Sequence, residues 1–168
     1  MEYGLLALRL VIGLAFAAHG SQKLFGWFGG GGSAGTAGFF GSLGYRAPAL
    51  MALAAGLSEL VGGLLFAAGF ATPLAALMLA TVMLNAIVTV KWTQGFFAGY
   101  ELDVTFLTVA LAIVATGPGR LSLDRAIGWD DNITGTAWAS VVFVGAIVAA
   151  VVTTTLGRAR ADTGEMAA

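Results

Sequence analysis

Five long apolar segments dominate this chain of 168 residues, at positions 4–23, 48–70, 73–90, 101–116 and 136–156. Most approach the roughly 20 apolar residues with which an α-helix crosses the hydrocarbon core of a bilayer. Only 10% of the residues are charged, whereas a soluble domain carries about 25%. The pattern therefore predicts an all-α, polytopic membrane protein whose first partner is the lipid bilayer. It excludes a soluble globular domain and a disordered chain.

The supply of charged and ligand-forming residues excludes several functions. The formal net charge is −1, so there is no basic surplus for binding nucleic acid. Cysteine is absent, which rules out Fe–S clusters and thiol chemistry. His19 is the single histidine, so the chain cannot supply two histidines to a haem or several to a metal. We expect no nucleic-acid partner, no haem, no metal and no Fe–S cluster.

The distribution of basic residues favours one orientation in the membrane. One side would hold Lys23, Arg46, Lys91, Arg158 and Arg160. The other would hold Arg120 and Arg125, together with Arg9 if its side chain extends outward. Because cytoplasmic connections are enriched in Lys and Arg, we expect a multi-pass protein of the cell (plasma) membrane with a cytoplasmic C-terminus.

Two charged residues lie deep inside the first two segments. Counting 1.5 Å per helical residue from the shared end puts Arg9 at a depth of about 21 Å and Glu59 at about 16 Å. Similar depths on consecutive antiparallel helices predict a buried Arg9–Glu59 ion pair. Ionisable groups at such depths are often functional, but the pair could also be purely structural, or Arg9 could reach the surface instead.

A second polar group is predicted at one membrane face. His19 and Lys23 close the first segment and Glu101 opens the fourth, so the alternation of antiparallel helices brings them to the same side. The same side holds ten aromatic residues: Phe25, Trp27, Phe28, Phe39, Phe40, Tyr45, Trp92, Phe96, Phe97 and Tyr100. This asymmetry favours a pocket at that face. The alternatives are an ordinary aromatic belt with snorkelling lysines and a histidine that only makes a structural hydrogen bond.

Four stretches of sequence resemble the DoxX family of small prokaryotic membrane proteins. They are HGSQKLFGWFGGGGSAGTAGFF at residues 19–40, AGLSELVGGLLFAAGFATPLAA at 55–76, GFFAGYE at 95–101 and GPGRLSLD at 117–124. The resemblance implies a four-helix transmembrane bundle over residues 1–125. Residues 126–157 then form a linker and an additional C-terminal transmembrane helix, which reads as an anchor or a lipid-facing span. Residues 158–168 form a short polar tail.

The resemblance also implies a link to quinone-dependent electron transfer. We therefore expect an accessory, non-catalytic or quinone-binding subunit of a respiratory or sulfur-oxidising oxidoreductase, with membrane or soluble oxidoreductase subunits as partners. Quinone is the expected cofactor. Its candidate pocket consists of His19, Lys23, Glu59, Tyr100 and Glu101. Two alternatives remain open: a membrane scaffold that docks soluble redox enzymes, and a small transporter or lipid-binding protein that uses the Arg9–Glu59 pair.

Overall fold

The structure, a computed structural model that describes residues 2–158, contains five helices long and apolar enough to cross a membrane. The α-helical parts of these five spans are α1 (Glu2–Phe25), α3 (Pro48–Ala68), α4 (Thr72–Ala86), α5 (Glu101–Thr116) and α7 (Thr136–Gly157). With the turns that adjoin them, the third and fourth spans extend over Thr72–Gln94 and Phe96–Thr116. Two shorter helices, α2 (Gly32–Ser42) and α6 (Leu123–Ala126), lie in the connections. The prediction of an all-α membrane bundle with a fifth transmembrane helix is confirmed. Of the predicted polar tail, residues 159–168 lie outside the described part of the chain.

The connections divide the molecule into two membrane faces. One, here called the α2 face, carries α2 and the connection between α4 and α5. At this face α4 is prolonged by a π-type turn, Ile87–Lys91, and by a 3₁₀ turn, Trp92–Gln94. The opposite face, here called the α6 face, carries α6 and the short turn between α3 and α4.

Glycines allow α1 and α3 to pack closely along their length. A Cβ atom on Gly13 would lie 2.5 Å from the carbonyl oxygen of Gly63, and a Cβ on Gly20 would overlap the backbone at Gly56 and Leu60. Small residues at such crossings let helix backbones approach in a bilayer, where there is no hydrophobic force between helices. The contact also fixes the register, because Gly13 lies opposite Gly63 and Gly20 lies opposite Gly56.

Helix α4 is the centre of the bundle and packs against α3, α5 and α7. Ala75, Ala76 and Ala80 are buried there, which lets larger side chains from the neighbouring helices fill the core: Phe66, Ile113 and Val114. The outer side of α7 is a row of exposed valines and isoleucine that suits contact with lipid acyl chains. The inner side of α7 runs along α4 and therefore belongs to the bundle.

Candidate functional site

The predicted Arg9–Glu59 pair is wrong, because the two residues bind different partners. The Lys23 ammonium donates to Glu59 Oε1 at 2.5 Å. Arg9 donates from Nη1 to the carbonyl oxygen of Pro118 at 2.7 Å and from Nη2 to that of Leu121 at 2.5 Å. Both side chains are almost fully buried, but in different parts of the bundle.

The error came from the assumption that α1 and α3 cross the same membrane face at Lys23 and Pro48. The glycine register shows that α3 begins about one and a half helical turns farther out than Lys23. Glu59 therefore lies near Gly20, at the α2-face end of α1. Arg9 lies beyond Gly13, where its guanidinium approaches Gly69.

At the α6 face, a buried carboxylate holds the loop after α5 against the start of α4. Asp124 is fully buried and accepts hydrogen bonds from the backbone N–H groups of Ala71 and Thr72 and from the Thr72 hydroxyl, at 2.6–2.9 Å. A carboxylate at a helix N-terminus satisfies free N–H groups and complements the helix dipole. Together with the Arg9 bonds to the same loop, this arrangement is structural.

The Lys23–Glu59 pair combines a buried carboxylate with a partly exposed ammonium. The side chain of Glu59 is 4% exposed and that of Lys23 is 33% exposed. The second oxygen of Glu59, Oε2, is buried without a hydrogen-bond partner. Since buried polar atoms are normally paired, this oxygen is a free acceptor beside a cation.

A cavity of about 260 Å³ lies next to this pair at the α2 face, between α2, α3, α4 and α7. We call it the α2 cavity. Its polar lining residues are Lys23, Thr36, Ser58, Thr81, Asn85, Thr89 and Thr153. The rest of the wall is apolar and aromatic, and includes Phe39, Phe40, Leu43, Tyr45, Met51, Val82 and Val90. A mostly apolar concave site with a few polar groups is the usual form of a small-molecule site.

Asn85 and Thr153 also line the cavity, although both lie far from Lys23 in the sequence. Asn85 Nδ2 donates to the carbonyl oxygen of Thr81 at 2.9 Å, and its Oδ1 accepts from the Thr153 hydroxyl at 2.9 Å. This bond joins α4 to α7. The fifth helix therefore contributes directly to the cavity.

Tyr45 closes the cavity where the connection after α2 meets the end of α7. Its ring is buried, and the Arg158 guanidinium lies 5.9 Å from the ring centre. Arg158 also donates to the carbonyl oxygen of Leu43, and Arg46 N–H donates to that of Gly157. Burial raises the pKa of Tyr45 above its ordinary value, although Arg158 and Thr89 offset part of the effect. The phenol is therefore a neutral hydrogen-bond donor.

The structure brings together only two of the five predicted pocket residues, Lys23 and Glu59. His19 is exposed and its Nδ1 hydrogen-bonds Gln22 Oε1 at 2.9 Å. Tyr100 stacks on Trp92 with ring centres 5.8 Å apart, and Glu101 begins α5. None of these three residues lines the α2 cavity.

A second ion pair, which the sequence did not indicate, begins at the last residue of the π-type turn that follows α4. Lys91 donates to Asp103 Oδ2 at 2.6 Å, and the Asp103 side chain is only 5% exposed. The two carboxylates, Glu59 and Asp103, are thus held in the same way at the same face. The π-type turn adds a residue to the helical turn and so rotates Lys91, which the apolar pattern of α4 does not reveal.

No group of three or more His, Asp or Glu side chains within residues 2–158 is arranged to hold a metal ion.

Comparisons with known proteins identify the family. The DoxX family model matches residues 4–92. A curated relative from Bacillus subtilis (strain 168), named "Putative oxidoreductase CatD", is 36% identical over 123 residues, which cover 73% of this chain and 86% of the relative. No solved structure matches. The matched residues include α1, α3 and α4, which supply most of the α2 cavity, and this chain belongs to the DoxX family.

Proposed function

We propose that this chain is an accessory membrane subunit of a quinone-linked oxidoreductase in respiratory or sulfur-oxidising electron transfer, and that it binds a quinone head group in the α2 cavity. The observation that carries the proposal is the α2 cavity itself, where a paired ammonium lines a mostly apolar space. The relative named as an oxidoreductase and the family resemblance support the same class of activity.

The size and lining of the cavity suit the head of a quinone. Ligand sites commonly measure roughly 300–1,000 Å³, so about 260 Å³ accommodates a ring and not a whole isoprenoid lipid. Phe39, Phe40 and Val90 provide apolar walls. The tail of the quinone would extend from the cavity into the bilayer.

The chemistry of the pair suits a molecule that takes up two protons when it is reduced. Lys23 would donate a hydrogen bond to a quinone carbonyl oxygen. Glu59 would balance the lysine charge, and its free Oε2 could hold a proton within the buried site. A bound quinone supplies the capacity to accept two electrons and two protons. The residues of this chain bind and orient it, and the electrons would come from a partner oxidoreductase subunit.

The transporter alternative loses its main support, because no Arg9–Glu59 pair lies at the centre of the bundle. The scaffold alternative is separated from the proposal by experiment. Purification from the native host in mild detergent, followed by mass spectrometry of proteins and lipids, should recover quinone together with a redox enzyme. Recovery of soluble enzymes without quinone would favour the scaffold.

Direct binding can be measured with the purified chain in lipid nanodiscs. Equilibrium dialysis against menadione and duroquinone, with empty nanodiscs as the blank, should show saturable binding. Lys23→Met combined with Glu59→Gln should weaken it about tenfold, the effect of losing one charged hydrogen bond. Lys91→Met combined with Asp103→Asn is the matched control, since it removes the other ion pair of the α2 face. Equal effects of the two double variants, or no saturable binding by the wild type, would contradict the proposal.

The orientation is part of the proposal. We expect the α2 face to lie at the cytoplasmic side of the plasma membrane, because it holds Lys23, Arg46, Lys91 and Arg158. Reporter fusions after Gly119 and at the C-terminus should read opposite compartments, with the C-terminal reporter in the cytoplasm. The reverse reading would place the proposed site at the other side, and equal readings would show that α7 does not cross.

A further inference from the structure

The fifth helix contributes a polar group to the α2 cavity, although its composition suggested an anchor or a lipid-facing span. Thr153 lies on the inner side of α7, half-buried, and lines the cavity. Its hydroxyl lies 2.9 Å from Asn85 Oδ1, across 68 residues of sequence. Neighbouring Thr155 is exposed and bonds only the carbonyl oxygen of Val151 in its own helix.

We propose that Thr153 is a positioning residue that holds the Asn85 amide as the second hydrogen-bond donor to the quinone, with Lys23 as the first. This proposal rests on the proposed function, because it concerns the same cavity. It assigns to α7 a role in recognising the head group.

The hydrogen bonds around Asn85 determine how its amide group is oriented. An asparagine amide has one oxygen and two N–H donors. Bonding to the Thr81 carbonyl oxygen requires the amide nitrogen at that position, so the amide oxygen must face Thr153. A hydroxyl has a single hydrogen, and that of Thr153 also lies near the carbonyl oxygens of Ala149 and Ala150. The carbonyl oxygens of Ala149 and Ala150 already accept backbone N–H groups within α7, whereas Asn85 Oδ1 has no other donor among residues 2–158. The hydroxyl hydrogen is therefore assigned to Asn85.

Two bonds therefore fix the plane of the Asn85 amide. One holds its oxygen and the other holds one N–H, so rotation about the side-chain axis is blocked. The second N–H has no partner among the hydrogen bonds of residues 2–158. Because Asn85 lines the cavity, this N–H is the donor that remains for a ligand. A quinone has two carbonyl oxygens on opposite sides of its ring, and the cavity wall holds one donor from α1, Lys23, and one from α4, Asn85.

The test compares two ligands that share a ring but differ in their acceptors. Menadione carries two carbonyl oxygens, and methylnaphthalene is the same ring system without them. Equilibrium dialysis in nanodiscs gives the affinity for each, and their ratio measures hydrogen-bond recognition. Thr153→Val, which keeps the shape but removes the hydroxyl, should lower the affinity for menadione roughly three- to tenfold, as expected for one hydrogen bond. The affinity for methylnaphthalene should not change.

Two variants separate positioning from packing. Thr153→Ser restores a hydroxyl and should retain the wild-type preference for menadione. Thr155→Val makes the same substitution on the outer side of α7 and should also behave as the wild type. Adding Asn85→Leu to Thr153→Val should cause little further loss of preference, because the two residues act as a unit.

The possible failures are distinguishable. If the wild type binds menadione saturably and with preference, but Thr153→Val keeps that preference or weakens both ligands equally, Thr153 has no positioning role and the proposed function still stands. If the wild type shows no preference for menadione over methylnaphthalene, the cavity does not recognise a quinone and both proposals fail.

Discussion

Double-mutant cycles can decide which basic residue is the partner of Glu59. The variants are Lys23→Met, Glu59→Gln and their combination, compared with Arg9→Met, Glu59→Gln and their combination. Reversible unfolding in mixed detergent micelles, followed by tryptophan fluorescence, gives the free energy of unfolding of each. The coupling energy is the difference between the effect of the double variant and the sum of the single effects.

The structure sets the expected magnitudes. Removing one partner of a buried ion pair costs about 3–5 kcal/mol. Lys23 is a third exposed, so water can relieve part of this cost, and we expect about 2–3 kcal/mol for Lys23→Met. Glu59→Gln keeps an acceptor for Lys23 but loses the charge, which is worth about 1 kcal/mol. Once Glu59 is neutral, loss of the lysine costs less stability. The double variant should therefore be about 2 kcal/mol more stable than the sum of the two single effects predicts.

The Arg9 cycle should give a different result. Arg9 lies near Gly69, ten residues from Glu59 along α3, which is about 15 Å. Arg9→Met and Glu59→Gln should therefore be additive within about 0.5 kcal/mol. Coupling above about 1 kcal/mol between Arg9 and Glu59, or below about 0.5 kcal/mol between Lys23 and Glu59, would refute the pairing in the structure.

Three further perturbations concern the α6-face loop, the contact between α1 and α3, and the Tyr45 phenol. Asp124→Asn should lower the free energy of unfolding by about 2 kcal/mol, because an amide nitrogen would face a backbone donor. Asp131→Asn is the control, since that side chain is 86% exposed, and it should change the free energy of unfolding by no more than about 0.5 kcal/mol. Similar losses for the two variants would contradict the role of Asp124. Gly13→Leu should destabilise the protein strongly in the same assay, since it separates the helices, while Gly35→Ala, where a Cβ meets nothing within 4 Å, should stabilise by about 0.5–1 kcal/mol. Because the pKa of Tyr45 is raised by burial, its contribution to stability should be complete below the ordinary tyrosine value of about 10 and lost as pH rises through the raised value. Tyr45→Phe should reduce this alkaline loss of stability, and an unchanged profile would count against the buried phenol.

Local patterns in the sequence predicted the architecture well. The five spans follow from hydropathy, since each helix needs only its own apolar residues to cross a bilayer. Small residues on the second span, among them Gly56 and Gly63, also mark a surface that another helix can approach closely. The structure uses both glycines against α1.

The candidate site was predicted less well, because it depends on the depth and rotation of one helix relative to another. The predicted pocket includes both Lys23 and Glu59, but the prediction pairs Glu59 with Arg9 because it takes the end of α1 and the start of α3 to be level. The bond between Asn85 and Thr153 depends on the rotation of α7 about its axis, and three consecutive threonines, Thr153, Thr154 and Thr155, do not indicate which of them faces α4. Asp124 acts on a turn 52 residues away, and no local signal marks such a contact.

The contact between the end of α7 and the connection that follows α2 has a consequence for the synthesis of the protein. Arg158 bonds the carbonyl oxygen of Leu43, 115 residues earlier in the chain. At about 5–20 residues per second, a ribosome that has added Leu43 needs roughly 6–23 s to reach Arg158. Until α7 has been made, Asn85 lacks its Thr153 partner. The cavity is complete only once α7 has entered the membrane, so the proposed ligand site forms after the four preceding transmembrane helices have been made.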